Sequence, residues 1–229
     1  MSSQPHSGHR KRLDEKVNRF GFEFLEEHEQ LEKILFVAIP QGDTNALAHR
    51  LLDKCGSLYG VLTADIEELI KVEGVGRRTA HFLRDLFPIL GCVERCMLQE
   101  KKSPHPILKT IEDRGKYVKS IFYGKLIENF YMISLDKHFR AFRFDKVSSG
   151  NSIEVPVYVS EVVKLALRNN ASYVILAHNH PGGNLTASAD DISITRKLNA
   201  GLCTVGIELL DHIIVSHGDF CSMKSLEII

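Results

Sequence analysis

The stretch Ala177–Asp191, AHNHPGGNLTASADD, decides how this chain is read. It closes an apolar run, Tyr173-Val-Ile-Leu-Ala177, with two histidines one residue apart. It then turns at Pro181-Gly182-Gly183 and resumes with Ser188-x-x-Asp191. The apolar run reads as a buried strand, and residues two apart on an extended strand point to one face. A strand carried through His180 therefore projects the imidazoles of His178 and His180 into one space. The glycine turn returns the chain so that Asp191 stands in the first turn of the next helix. Two neutral nitrogens and one carboxylate oxygen fill three of zinc's four tetrahedral positions, and the open fourth suits a water whose pKa falls toward about 7. The competing reading of Ser188-x-x-Asp191 is a capping box, in which Asp191 reaches back to the backbone N–H of the cap. The two are compatible, because Ser188 can cap the helix and still present its hydroxyl toward an oxygen on the metal.

Outward from this stretch, the texture predicts strands interleaved with helices. Asn129–Leu135 (NFYMISL) and Phe139–Val147 (FRAFRFDKV) read as a hairpin around Asp136-Lys-His138. Val159–Asn169 reads as an amphipathic helix, Ser172–His178 as the buried strand, Ser188–Ala200 as a helix and Ile207–Ser216 as another strand. The fold class expected is a mixed α/β, or α+β, sheet layered by helices.

The first hundred residues read helical instead. One helix is expected from the spacing of Phe22 to Ile39, stopped by Pro40-Gln-Gly42, and another over Asn45–Lys54. Ser57–Gly60 reads as a turn, and Thr63 as the N-cap of a helix through Ile70. The polar, two-proline stretch Lys101–Pro106 is the expected boundary, dividing the chain into a helical domain, 1–103, and an α/β domain, 104–229, that opens with a helix over Ile107–Ile121.

Within the helical part, VEGVGRRTAHFL (Val72–Leu83) reads as a helix-hairpin-helix with Gly74-Val75-Gly76 as the hairpin and Thr79-Ala80 opening the second helix. Gly74 and Gly76 would let backbone N–H groups approach a phosphate at a helix N-terminus, and Arg77 and Arg78 add charge. The same turn also serves to pack helices or protein partners, so non-specific DNA binding and a structural role both stand at this stage.

Composition sets outer limits. Lys and Arg number 29 against 29 Asp and Glu, so no global field draws nucleic acid, and any such binding is local. No apolar run reaches the roughly 18 residues of a membrane span, and the N-terminus carries basic residues without an apolar segment behind them. A cytoplasmic protein with reduced thiols is expected from the five cysteines. Cys92 and Cys96, four apart on a helix, read as small buried residues in preference to a metal pair.

The order His178-x-His180, then Ser188-x-x-Asp191, resembles the JAMM (MPN-plus, JAB) metalloproteins. HNHPGG followed by LLDHIIV (Leu209–Val215) is similar to the RadC family, the bacterial "DNA repair protein". The likeness extends over nearly the whole chain, through GVGRRTA, NFYMISLD, VSSGN and SEVVKLALRNNA. Gly182 departs from the serine common there, and Val159-Ser160-Glu161 from Pro-Arg-Glu; neither is a ligand position. The resemblance implies a cytidine-deaminase-like JAMM domain with Zn2+ as cofactor, acting as a peptidase or isopeptidase on a protein or peptide substrate. It also implies an upstream glutamate that moves protons, for which Glu128 is the choice over Glu154 and Glu161, and it gives Ser188 the role of steadying the oxyanion. The true cytidine-deaminase set, His-x-Glu with Pro-Cys-x-x-Cys, is absent. Two other readings stand beside the hydrolase. One is a DNA-associated repair factor docked through the hairpin; the other is a non-enzymatic interaction protein.

Overall fold

A computed structural model describes residues 7–98, 105–149 and 158–228. The linker residues 101–104, Glu154 and most of VSSGN's surroundings, 150–157, lie outside the described residues. The chain forms two compact units, Met1–Phe87 and Pro88–Ile229. This division falls within one continuous helix and upstream of Lys101–Pro106.

The first unit is helical: α1 (Ser7–Phe20), a 3-10 turn (Phe22–Phe24), α2 (Glu27–Ala38), α3 (Asn45–Cys55), α4 (Leu58–Thr63), α5 (Ile66–Leu69) and the start of α6 (Arg77–Met97). Leu31, Leu35, Leu47, Leu51, Val61, Leu69, Val75 and Leu83 form its core. The helix expected from Phe22 is broken, because Glu26 and Glu29 make a capping box that starts α2 afresh. Thr63 is not an N-cap. It ends α4, its hydroxyl donating back to the Tyr59 carbonyl at 2.8 Å, and Asp65 occupies the cap position of α5. Ser57–Gly60 is the capped first turn of α4. The helix after the glycine turn opens at Arg77, ahead of Thr79.

The second unit carries the end of α6, then α7 (Ile111–Phe122), β1 (Asn129–Leu135), β2 (Ala141–Ser149), α8 (Val159–Arg168), β3 (Tyr173–Asn179), α9 (Ala189–Thr204), β4 (Glu208–Ser216) and β5 (Asp219–Ser222). The strand order is β2-β1-β3-β4-β5, with only β3 and β4 parallel. Alternation divides the sheet into two packed faces. Tyr131, Ile133, Ile175, Ala177 and Ile213 pack with Val118 and Ile121 of α7. Met132, Val174, Leu176 and Leu209 pack with Val162 of α8 and Leu198 and Leu202 of α9. Ile107, expected in a helix, bridges to Arg140 instead, and a Thr110–Asp113 capping box starts α7 later. On the α7 side, buried Asp211 accepts from Ser222 Oγ and the Lys224 N–H, with Arg114 Nη1 3.9 Å away. Burial raises its pKa, and those partners oppose the rise.

Cys92 and Cys96 are exposed, contrary to expectation, and all five thiols are free. Among the described residues no helix is long and apolar enough to cross a membrane. One close approach sets a stability prediction. A Cβ on Gly91 would lie 2.3 Å from the backbone carbonyl oxygen of Ser120. Alanine gains about 1 kcal/mol of helix propensity over glycine, whereas overpacking costs about 1–3 kcal/mol and sits at the upper end when backbone must move. Gly91→Ala should therefore destabilise by roughly 2 kcal/mol in denaturant unfolding; an unchanged or raised midpoint would contradict the packing.

Candidate metal centre

β3 ends in the cluster the sequence singled out. His178 lies within the strand, 1 % exposed, and pairs with Phe130 of β1 and Ile214 of β4. His180 follows the strand's last residue, yet its N–H still donates to the Val215 carbonyl at 2.8 Å. The extended conformation thus persists, and the two imidazoles share a face. Gly183, at φ 92°, makes the turn; a Cβ there would sit 3.1 Å from His217 Nε2. The chain then reaches Ser188, which caps α9. Its Oγ accepts from the Asp191 N–H at 3.1 Å, while Asp191 Oδ2 accepts from the Ser188 N–H at 2.8 Å and from its hydroxyl at 2.6 Å.

The capping box and the ligand geometry therefore coexist in one carboxylate. His178 Nε2 lies 3.3 Å from Asp191 Oδ1, His180 Nε2 lies 3.7 Å from Asp191 Oδ2, and the two Nε2 atoms are 2.8 Å apart. Among the described residues this is the group of three whose ligand atoms, all within 4.8 Å of one another, could hold a metal ion. The polar atoms facing away are already engaged. His180 Nδ1 is 2.7 Å from the Asn184 carbonyl, which can only accept, so Nδ1 carries the hydrogen and Nε2 presents a lone pair. His178 Nδ1 is 2.8 Å from His212 Nε2. Burial would raise the Asp191 pKa, but the nearness of His178 and the bonds from the Ser188 hydroxyl and N–H hold it well below the usual carboxylate range. Two imidazole nitrogens and a carboxylate face one another, a donor set that fits zinc.

The other expected residues distribute unevenly. Ser188 touches the cluster through Asp191, and its one hydroxyl proton is directed to Oδ2. Glu128 is exposed and precedes β1. The β1–β3 register pairs Phe130 with His178, and continued by two residues it sets Glu128 opposite His180. Glu161 is on α8, paired with Lys164 at 2.9 Å. In the first unit, Gly74 has φ 94° and Arg50 donates to the Glu73 carbonyl beside it. Arg77 and Arg78 are exposed at the start of α6, with Arg77 3.7 Å from Glu67.

Sequence reasoning missed three residues. Asn179, between the histidines, accepts from the Asn129 N–H at 2.9 Å and donates to the carbonyls of Lys125 and Ile127, bracketing Glu128. His212 and Thr195 continue the contacts of His178. Their available signal was a lone polar pair, Asp211-His212, inside the otherwise apolar Leu209–Val215.

Comparison with known proteins agrees with this architecture. Residues 108–228 match the family model of the RadC-like JAB domain. A UPF0758 protein of Fusobacterium nucleatum is 33% identical over 225 residues, covering 97% of each chain. One from Ruegeria pomeroyi is 34% identical over 90% of this chain and 91% of its own. One from Rhodobacter capsulatus is 32% identical over 93% and 98%. With a domain match over more than half its length and relatives aligned almost end to end, this chain belongs to the RadC (UPF0758) family.

Proposed function

We propose that this protein is a zinc-dependent hydrolase of the JAMM type, cleaving a peptide or isopeptide bond. The observation that carries this reading is the convergence of His178 Nε2, His180 Nε2 and the Asp191 carboxylate, three acceptors within 4.8 Å. When bound, zinc supplies Lewis acidity toward a carbonyl oxygen and toward water. His178, His180 and Asp191 would hold it. Ser188 orients Asp191 through the capping box, and by rotating its hydroxyl it can donate to a developing oxyanion. Glu128 takes a proton from water and returns it to the leaving amine. Chelator-treated protein, with and without restored zinc, assayed on peptide-linked and isopeptide-linked fluorogenic substrates tests the reading. Zinc-dependent cleavage is the expected result, and cleavage of neither class by zinc-loaded protein counts against it.

A second reading concerns the first unit: the hairpin grips DNA. The left-handed Gly74 turn leads into α6 with Arg77 and Arg78 exposed on its first turn, a geometry that suits phosphate. The full chain should then bind duplex or single-stranded DNA weakly and without sequence preference. Replacing both arginines by alanine should lower affinity and flatten the salt slope by about one unit per lost contact. Salt-independent binding, or none at low ionic strength, would leave the hairpin a scaffold.

A further inference from the structure

We infer that His212 and Thr195 are positioning residues for the metal centre, together fixing which nitrogen of His178 is free to bind. Direction follows from counting hydrogens. Thr195 Oγ1 lies 2.5 Å from the Asp191 backbone carbonyl, which can only accept, so the hydroxyl spends its one hydrogen there. The same Oγ1 lies 2.5 Å from His212 Nδ1, and with no hydrogen left it must accept. His212 therefore carries its hydrogen on Nδ1. His212 is fully buried, and its ring meets a threonine hydroxyl and an imidazole with no hydrogen bond to a carboxylate among the described residues, so a charged ring there would be uncompensated and its Nε2 is bare. That bare nitrogen, 2.8 Å from His178 Nδ1, accepts from it. In the neutral ring this tautomer leaves Nε2 of His178, the atom that faces His180 and Asp191, unprotonated.

The relay begins and ends on ligands. It leaves His178 on β3, crosses β4 at His212, reaches α9 at Thr195 and closes on the main chain of Asp191, whose carboxylate faces the His178 nitrogen the relay has freed. Histidine ligands are commonly fixed by an acceptor on the far ring nitrogen, and losing that acceptor costs roughly 10–100-fold in metal affinity. Here the acceptor is another histidine, itself aligned by a threonine. Its placement depends on an irregularity of the sheet. The β3–β4 register passes from Val174 opposite Leu209 to Ile175 opposite Asp211, so Leu210 is the extra residue of a bulge. Strict alternation through Leu210 from Leu209, with no bulge, would turn His212 toward α7. Phe130 stacks on His178 at 6.1 Å and meets His212 edge-on at 5.4 Å, covering the relay with apolar surface. His212 is not a fourth ligand, because both its nitrogens are spent.

The inference rests on the metal reading above, and two measurements separate their failures. In metal-free full-length protein, long-range 15N–1H correlations of the imidazoles should show His178 and His212 protonated on Nδ1. Thr195→Val and His212→Leu should give His178 a mixture of tautomers, while His212→Gln, whose amide oxygen can accept, should restore the Nδ1–H form. Protonation of His178 on Nε2 in the wild type would overturn the inference whatever the metal does. Zinc titration against a competing chelator should show a loss of about 10–100-fold for Thr195→Val and His212→Leu. His212→Gln and Thr195→Ser should stay close to wild type. Wild-type affinity in folded Thr195→Val and His212→Leu would reduce both residues to packing. Should His212→Leu fail to fold, Thr195→Val and His212→Gln decide by the same two readouts. A wild type that binds no zinc would sink the metal reading while the tautomers still judge the relay.

Discussion

Glu128→Gln is expected to keep the full complement of metal while lowering hydrolysis by about 10²–10⁴-fold, the usual contribution of a positioned general acid–base group. Glutamine preserves size and shape but cannot take a proton. Glu128 is exposed, so the change should move stability by no more than about 0.5 kcal/mol, and lost rate cannot be put down to unfolding. Placement supports the role. Glu128 stands two residues before Phe130, the β1 position paired with His178, and the three hydrogen bonds of the Asn179 amide fix the main chain on both sides of it. Initial rates set beside zinc content check the prediction. Undiminished rate in Glu128→Gln would remove this residue from the reaction, and loss of rate in Glu161→Gln instead would move the role to α8.

What could be read from the residues, and what could not, follows the range of the interactions. His178, His180, Ser188 and Asp191 are legible because strand alternation, one glycine turn and one capping box place all four within fourteen consecutive positions. His212 was not, because its contact with His178 spans 34 residues and depends on the bulge at Leu210, which no alternation pattern announces. The hairpin, the central strand and the helices on either side of it follow apolar periodicity closely. Short elements do not: β5, Asp219–Ser222, is a four-residue edge strand in polar sequence, and α1 has too few apolar residues to stand out. Caps misled where two candidates stood close together, as with Thr63 and Asp65, because the hydroxyl of Thr63 prefers its own helix's carbonyl. Cys92 and Cys96 were misplaced because residue type gives a burial preference, whereas the face of α6 they occupy is set by which side packs on α7.

His178, His180 and Asp191 converge as the proposed zinc site, and the zinc content of the purified protein tests that assignment most directly. About one zinc per chain is expected for a site of this kind, retained through dialysis and removed by a strong chelator. His178→Ala, His180→Ala and Asp191→Ala should each lower affinity by more than the roughly 10–100-fold that a lost outer contact costs, enough to empty the site at ordinary protein concentrations. The His180 and Asp191 variants should stay folded, since both side chains are only partly buried and the capping hydroxyl of Ser188 still accepts from the backbone of residue 191; His178 is buried, so its variant leaves a cavity and its unfolding midpoint is measured beside its zinc content. Elemental analysis that finds zinc near one per chain in the wild type and near zero in all three variants is the predicted result; zinc undiminished in all three would contradict it.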